Sequence, residues 1–178
     1  MFDEDTWGSS ADWDMWLRIA QAGYQFACLQ EPLGAYRIQP DSMMSNVPKL
    51  EHGVFAVLDK VFADPKLPAD VLAVKEQAYG GIHLWTAWRH YAAGRWDDAQ
   101  RNLTHALELR PHLVAQPEHL LQHLCNDALS VRISNPVKFV KDVFGHLPPN
   151  ADGLRGYHPQ ALGNVHVGLA LRDYGAGD

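Results

Sequence analysis

Apolar residues recur at three- and four-residue intervals along most of the chain, the spacing that gathers side chains on one face of an α-helix. Near the N-terminus Trp13, Trp16, Leu17 and Ala20 fall at i, i+3, i+4 and i+7. Ser9 and Ser10 precede them as N-cap candidates, and Gly23 stands where a left-handed C′ residue ends a helix. The pattern predicts a helix from about Asp12 with Trp16 in the core. The period then shortens. YQFACLQ and LGAYRI, interrupted by Glu31-Pro32, read as short strands, so strand is expected only within 24–38. Pro40-Asp41-Ser42 makes a turn.

From residue 46 onward the helical period dominates. Helices are expected over 48–63, 68–93 and 97–109, punctuated by Pro65, Pro68, Gly94 and Pro111. Asp97 with Gln100 has capping-box spacing. Further helices are expected over 117–130 and 136–145. After the Pro/Gly-rich LPPNADGLRGYHP, a last helix is expected from about Ala161.

An internal repeat appears at an offset of 83 residues. YGGIHLWTAWRHYAAGR (79–95) aligns with LGNVHVGLALRDYGAGD (162–178). Seven positions are identical: Gly80/Gly163, His83/His166, Ala87/Ala170, Arg89/Arg172, Tyr91/Tyr174, Ala93/Ala176 and Gly94/Gly177. VFADPKLPAD (61–70) resembles VFGHLPPN (143–150), so the relation extends upstream. Self-similarity at a fixed period is the mark of repeat architectures. After Gly94 the first copy continues into RWDDAQRNLTHALELRP. The second copy reaches Asp178 at that point, and the acidic, aromatic opening MFDEDTWGSSADWD does not resemble the start of a domain. The expectation is a piece of a longer polypeptide, cut at both ends.

Composition narrows the classes. The chain has 178 residues, 47% hydrophobic, with 15 Lys+Arg against 21 Asp+Glu and a net charge of −6. That balance gives no basic footprint for nucleic acid. Cys28 and Cys125 make no disulfide framework and fit a reducing compartment. With no signal-peptide pattern and no membrane-span pattern, a cytoplasmic location is expected.

The chemistry concentrates in the first 45 residues. Phe2-Asp3-Glu4 is followed by Asp12-Trp13-Asp14 with Arg18. Gly23-Tyr24-Gln25-Phe26, Glu31-Pro32-Leu33, and Tyr36-Arg37-Ile38-Gln39 with Ser42 come next. This ordered set resembles the end of the catalytic domain of family 2 glycosyltransferases, inverting enzymes of the GT-A fold. The resemblance covers about a quarter of the chain. It implies that residues 1–45 are a short β/α remnant of such a domain and that Asp12 is the catalytic base. Such a base must be ionised and must face the acceptor hydroxyl, and a helix N-terminus favours the carboxylate. A capping role is the competing reading for Asp12, and Asp14 reads as structural. Glu4, Trp13, Arg37 and Ser42 are the substrate-binding candidates, and Trp7 is an open candidate for stacking on a sugar. The family often has His where Gln39 stands, and Gln is a weak metal ligand. A divalent metal, Mg or Mn, belongs to the intact enzyme on this reading. No cofactor is expected within this chain.

HYAAGRWDDAQRNLTHALELRP resembles the back half of a tetratricopeptide repeat. Gly94, Ala99, Leu103, Ala106 and Pro111 stand at its small, large, small and terminating positions, while His83 stands where that motif has Trp. The expected fold is therefore mainly α: helical hairpins with a tetratricopeptide-like repeat over 46–178, after the 1–45 remnant. His119, His123 and Asp127 share a helix face as a minor metal candidate. Asn102-Leu103-Thr104 is a glycosylation sequon placed mid-helix, read as coincidence. Two functions follow. One is a fragment, inactive alone, of an enzyme that transfers sugar from a nucleotide donor to an acceptor hydroxyl with inversion. The other is a helical interaction module without catalysis, binding a protein partner or self-associating.

Overall fold

The computed structural model describes residues 10–35 and 45–176. Helix occupies 75% of them and no strand occurs among them. The chain divides into two compact units, residues 1–75 and 76–178.

In the first unit, α1 (Ala11–Gln21) ends on Gly23 at φ +83°. The Gly23 and Tyr24 amides donate to the Ala20 and Ile19 carbonyls, closing a Schellman-type cap that only a residue tolerant of positive φ completes cheaply. Ser10 occupies the N-cap position, but its hydroxyl makes no cap bond. α2 (Val47–Phe62) starts on Asn46, whose side chain accepts from the Lys49 amide at 3.1 Å. Its face of Leu50, Val54, Val57 and Leu58 is buried. α3 (Ala69–Ala73) is short.

Residues 24–35 carry no strand, contrary to the alternation in their sequence. A strand is held by a ladder to a neighbour, and the described chain offers none. Tyr24, Phe26, Leu29 and Leu33 accordingly lie exposed. The end of that expected strand region, 36–38, lies outside the described residues.

The second unit is an all-helical core. α4 (Lys75–Ala92) leads through Gly94, at φ +70°, into α5 (Trp96–Leu109). The expected helix over 68–93 is thus two, broken at Val74. α6 (His112–Ala115), α7 (Pro117–Ala128) and α8 (Pro136–Gly145) follow. A 3-10 segment (Pro149–Tyr157) then leads into α9 (His158–Ala176). One apolar cluster joins Leu84, Trp88 and Tyr91 of α4 to Leu103 and Leu107 of α5. Leu120 and Leu124 of α7, Phe139 and Val143 of α8, and Ala161 and Val165 of α9 complete it. The end of α8 is a fixed point. The His146 carbonyl accepts from the Tyr91 hydroxyl at 2.7 Å and from Gln100 Nε2 at 3.0 Å, and the His146 ring stacks on Trp96 at 4.3 Å.

The element bounds carry the offset found in the sequence. α4 begins at residue 75 and α9 at 158. α2 ends at 62 and α8 at 145.

Candidate functional site

The described part of the candidate site is the first turn of α1. Two carboxylates two residues apart on a helix point about 200° away from each other, and here they meet opposite environments. Asp12 is exposed, and its Oδ1 accepts from the adjacent Trp13 amide at 2.8 Å. Asp14 is 1% exposed. Its Oδ2 takes Arg18 Nε at 2.9 Å and its Oδ1 takes Lys60 Nζ of α2 at 2.9 Å. A buried carboxylate is stable only when its oxygens are met by donors, and both are. Asp14 therefore pins α1 to α2, while Asp12 stands in solvent at the positive end of the helix dipole. Lys60 lies 46 residues from Asp14, and no spacing signal announces it.

This orientation corrects one expectation. Trp16 is 51% exposed rather than a core residue. The face turned toward α2 runs through Asp14 and its ion pairs, and Trp16 projects from the other side. Trp13 is half-buried beside Asp12. Glu4, Trp7, Arg37, Gln39 and Ser42 lie outside the described residues.

In the second unit buried polar groups bond from helix to helix. Asn102 is fully buried. Its side-chain oxygen receives the Thr86 hydroxyl at 3.0 Å and sits 2.8 Å from His83 Nδ1, while its amide donates to the Asp98 carbonyl at 3.0 Å. The sequon is thus closed to glycosylation by its own fold. The capping-box expectation at Asp97 is also corrected. α5 starts one residue earlier with Arg95 at the N-cap, and Gln100 reaches His146 instead.

Asp127 is taken by Arg89 at 2.6 Å. Burial raises the Asp127 carboxyl above its ordinary pKa and lowers that of Arg89, each opposed by the other's charge. His123 is lowered by burial, with nearby Arg110 adding to it. Among the described residues no group of three His, Cys, Asp or Glu side chains is placed to hold a metal ion. Cys28 is exposed and Cys125 buried, neither in a disulfide. Among the described residues no helix is long and apolar enough to cross a membrane.

Comparison with known protein families, with curated proteins and with solved structures finds no match for this chain.

Proposed function

We propose that this chain is the C-terminal part of an inverting, family 2-type glycosyltransferase, continued by a helical, tetratricopeptide-like region. The observation that carries the reading is the division of labour on α1. One carboxylate, Asp14, is sequestered in ion pairs, and the other, Asp12, is left exposed on the first helical turn. Inverting transfer needs one base. In the proposed step the Asp12 carboxylate takes the proton of the acceptor hydroxyl as that oxygen bonds to the anomeric carbon. The bond from that carbon to the nucleoside diphosphate breaks on the opposite face, and the diphosphate leaves. Trp13 beside Asp12 offers an aromatic face to the acceptor ring.

The donor and any Mg or Mn ion belong to parts of the enzyme outside this chain, because a nucleotide-binding α/β half-domain needs roughly 100 or more residues of its own. Two assays test the reading. The isolated chain should give no calorimetric signal with UDP- or GDP-sugars. The longest translation product that contains it should release nucleoside diphosphate from a nucleotide-sugar when an acceptor is present. Micromolar binding by the isolated chain, or a longer product inert across a donor panel, would overturn it.

The second reading, a helical interaction module, is favoured by a separate observation: the exposed apolar face of α9, where Val167, Leu171 and Tyr174 lie open.

A further inference from the structure

Four of the seven residues shared between the two copies of the repeat gather on one side of the helix, while Arg89 stands opposite them and pairs with Asp127 of α7. Gly80, His83, Ala87 and Tyr91 lie at i, i+3, i+7 and i+11, one face of α4. That face is the seat of α5. A Cβ on Gly80 would sit 2.6 Å from Arg110 Cγ and 3.1 Å from Leu109 Cβ, so glycine is what lets the end of α5 approach. His83 meets Asn102 of α5 at 2.8 Å. Ala87 is fully buried, in one cluster with Ala99, Leu103 and Ala106 of α5. The Tyr91 ring lies 6.4 Å from that of Trp96.

The counterparts of these four on α9 are Gly163, His166, Ala170 and Tyr174, and all four are exposed. Tyr174 is 85% exposed where Tyr91 is 1%. Among the described residues nothing lies within 4 Å of a Cβ built on Gly163. The opposite side of α9 is already used: Ala161 and Val165 are buried, and Gly168 abuts Leu129. α9 thus presents a helix seat with the same glycine notch, imidazole, small residue and aromatic end as the seat on α4, and it is uncovered.

We propose that this face of α9 docks an amphipathic helix from outside these 178 residues. The helix has the seam of α5, with Ala, Asn, Leu and Ala at the spacing of Ala99, Asn102, Leu103 and Ala106, and carries a basic residue where α5 carries Asp98. The charge follows from one difference between the seats. His90 of α4 lies 3.9 Å from Asp98, and the residue of α9 at the place of His90 is Asp173. A carboxylate opposite Asp173 would repel, and a Lys or Arg would pair. The α5 of a second copy is excluded on two grounds. It carries Asp98, and its seam is already buried against its own α4. The inference goes beyond the sugar-transfer reading and stands on the repeat alone.

The probe is a synthetic peptide of residues 95–111 carrying Asp98→Lys, titrated into the full chain with hydrogen exchange as the readout. The amides of α9 should slow on addition. The Asp98→Lys peptide should bind about threefold more tightly than the unaltered peptide, the scale of one exposed ion pair. Gly163→Leu in the chain fills the notch at an exposed helical position. It should weaken binding by about tenfold or more, equivalent to about 1.4 kcal/mol, with an unchanged circular dichroism spectrum. Unslowed α9 amides, or binding indifferent to Gly163→Leu, would overturn the proposal. So would a chain that sediments alone as a dimer and becomes monomeric with Gly163→Leu, which would give the face to a second copy.

Discussion

Asp12 and Asp14 are chemically identical and two residues apart, and burial alone separates their roles. Asp14→Ala removes the acceptor of two cations and the tie between α1 and α2. Arg18 and Lys60 are both partly exposed, so their charges rehydrate in part. The expected cost is about 1–3 kcal/mol, seen as a lower urea midpoint. Asp12→Asn should lower that midpoint far less, by about 0.3–1 kcal/mol at most, because it loses only the attraction of an exposed first-turn carboxylate to the helix dipole. The sequence already shows the Asp12/Asp14 pair and its Arg18 partner at i+4. It does not show Lys60, because a tertiary ion pair across 46 residues leaves no periodic trace. Trp16 misleads for a related reason: its spacing with Trp13 and Ala20 is helical, but the buried polar contact of Asp14 decides which face turns inward.

Tyr91 gives a pH signature. Burial pushes its phenol well above the ordinary value near 10, so the folded state holds a proton that the unfolded state loses first. Stability from this group is complete below about pH 10 and falls as pH rises above it. A tyrosine absorbance titration should show a late fraction that ionises only with unfolding. Tyr91→Phe should remove part of that fraction and flatten the alkaline loss of stability. It should also cost about 0.5–1.5 kcal/mol at neutral pH for the lost bond to the His146 carbonyl. A late fraction unchanged by Tyr91→Phe would contradict the assignment.

At the scale of elements, the helices with strong apolar period and clear punctuation were readable. α2, α5, α7 and α8 fall within about two residues of the expected ranges, and Gly23 and Gly94 end their helices as left-handed residues. α6 and the 3-10 segment were not readable, being short and lying among prolines where no period can develop. α9 starts at His158, earlier than expected, because Pro159 is tolerated in a first turn whose amides have no intrahelical acceptor. The strands over 24–35 failed because alternation is only half of a strand's cause and a ladder partner is the other half. The repeat makes a prediction of opposite signs at equivalent positions. Gly80→Ala drives a methyl into Arg110 and Leu109 and should destabilise by about 1–3 kcal/mol. Gly163→Ala meets open space and should stabilise by up to about 1 kcal/mol through helix propensity. Equal effects in denaturant titration would show that the two glycines do not hold equivalent places.

At the scale of the whole molecule, helix dominance and one apolar cluster in the second unit follow from the 3.6-residue period. Hydrogen exchange should rank the chain accordingly. Amides of α5 and α7, which feed Leu103, Leu107, Leu120 and Leu124 into that cluster, should exchange slowest, and those of 24–35 fastest, since few buried contacts hold them. Protection over 24–35 comparable to α5 would mean that a ladder forms there.

The motifs behind the sugar-transfer proposal come from the sequence alone, and the chemistry it proposes rests on Asp12. On the sugar-transfer proposal, the decisive measurement is turnover in the longest translation product that contains this chain, with Asp12→Asn beside Asp14→Asn. Loss of the base predicts a fall of about 10²–10⁴ in kcat for Asp12→Asn with at most a small fall in melting temperature. Asp14→Asn should lower the melting temperature and change kcat far less. Near-normal turnover in Asp12→Asn would remove Asp12 as the base and contradict the sugar-transfer mechanism built on it.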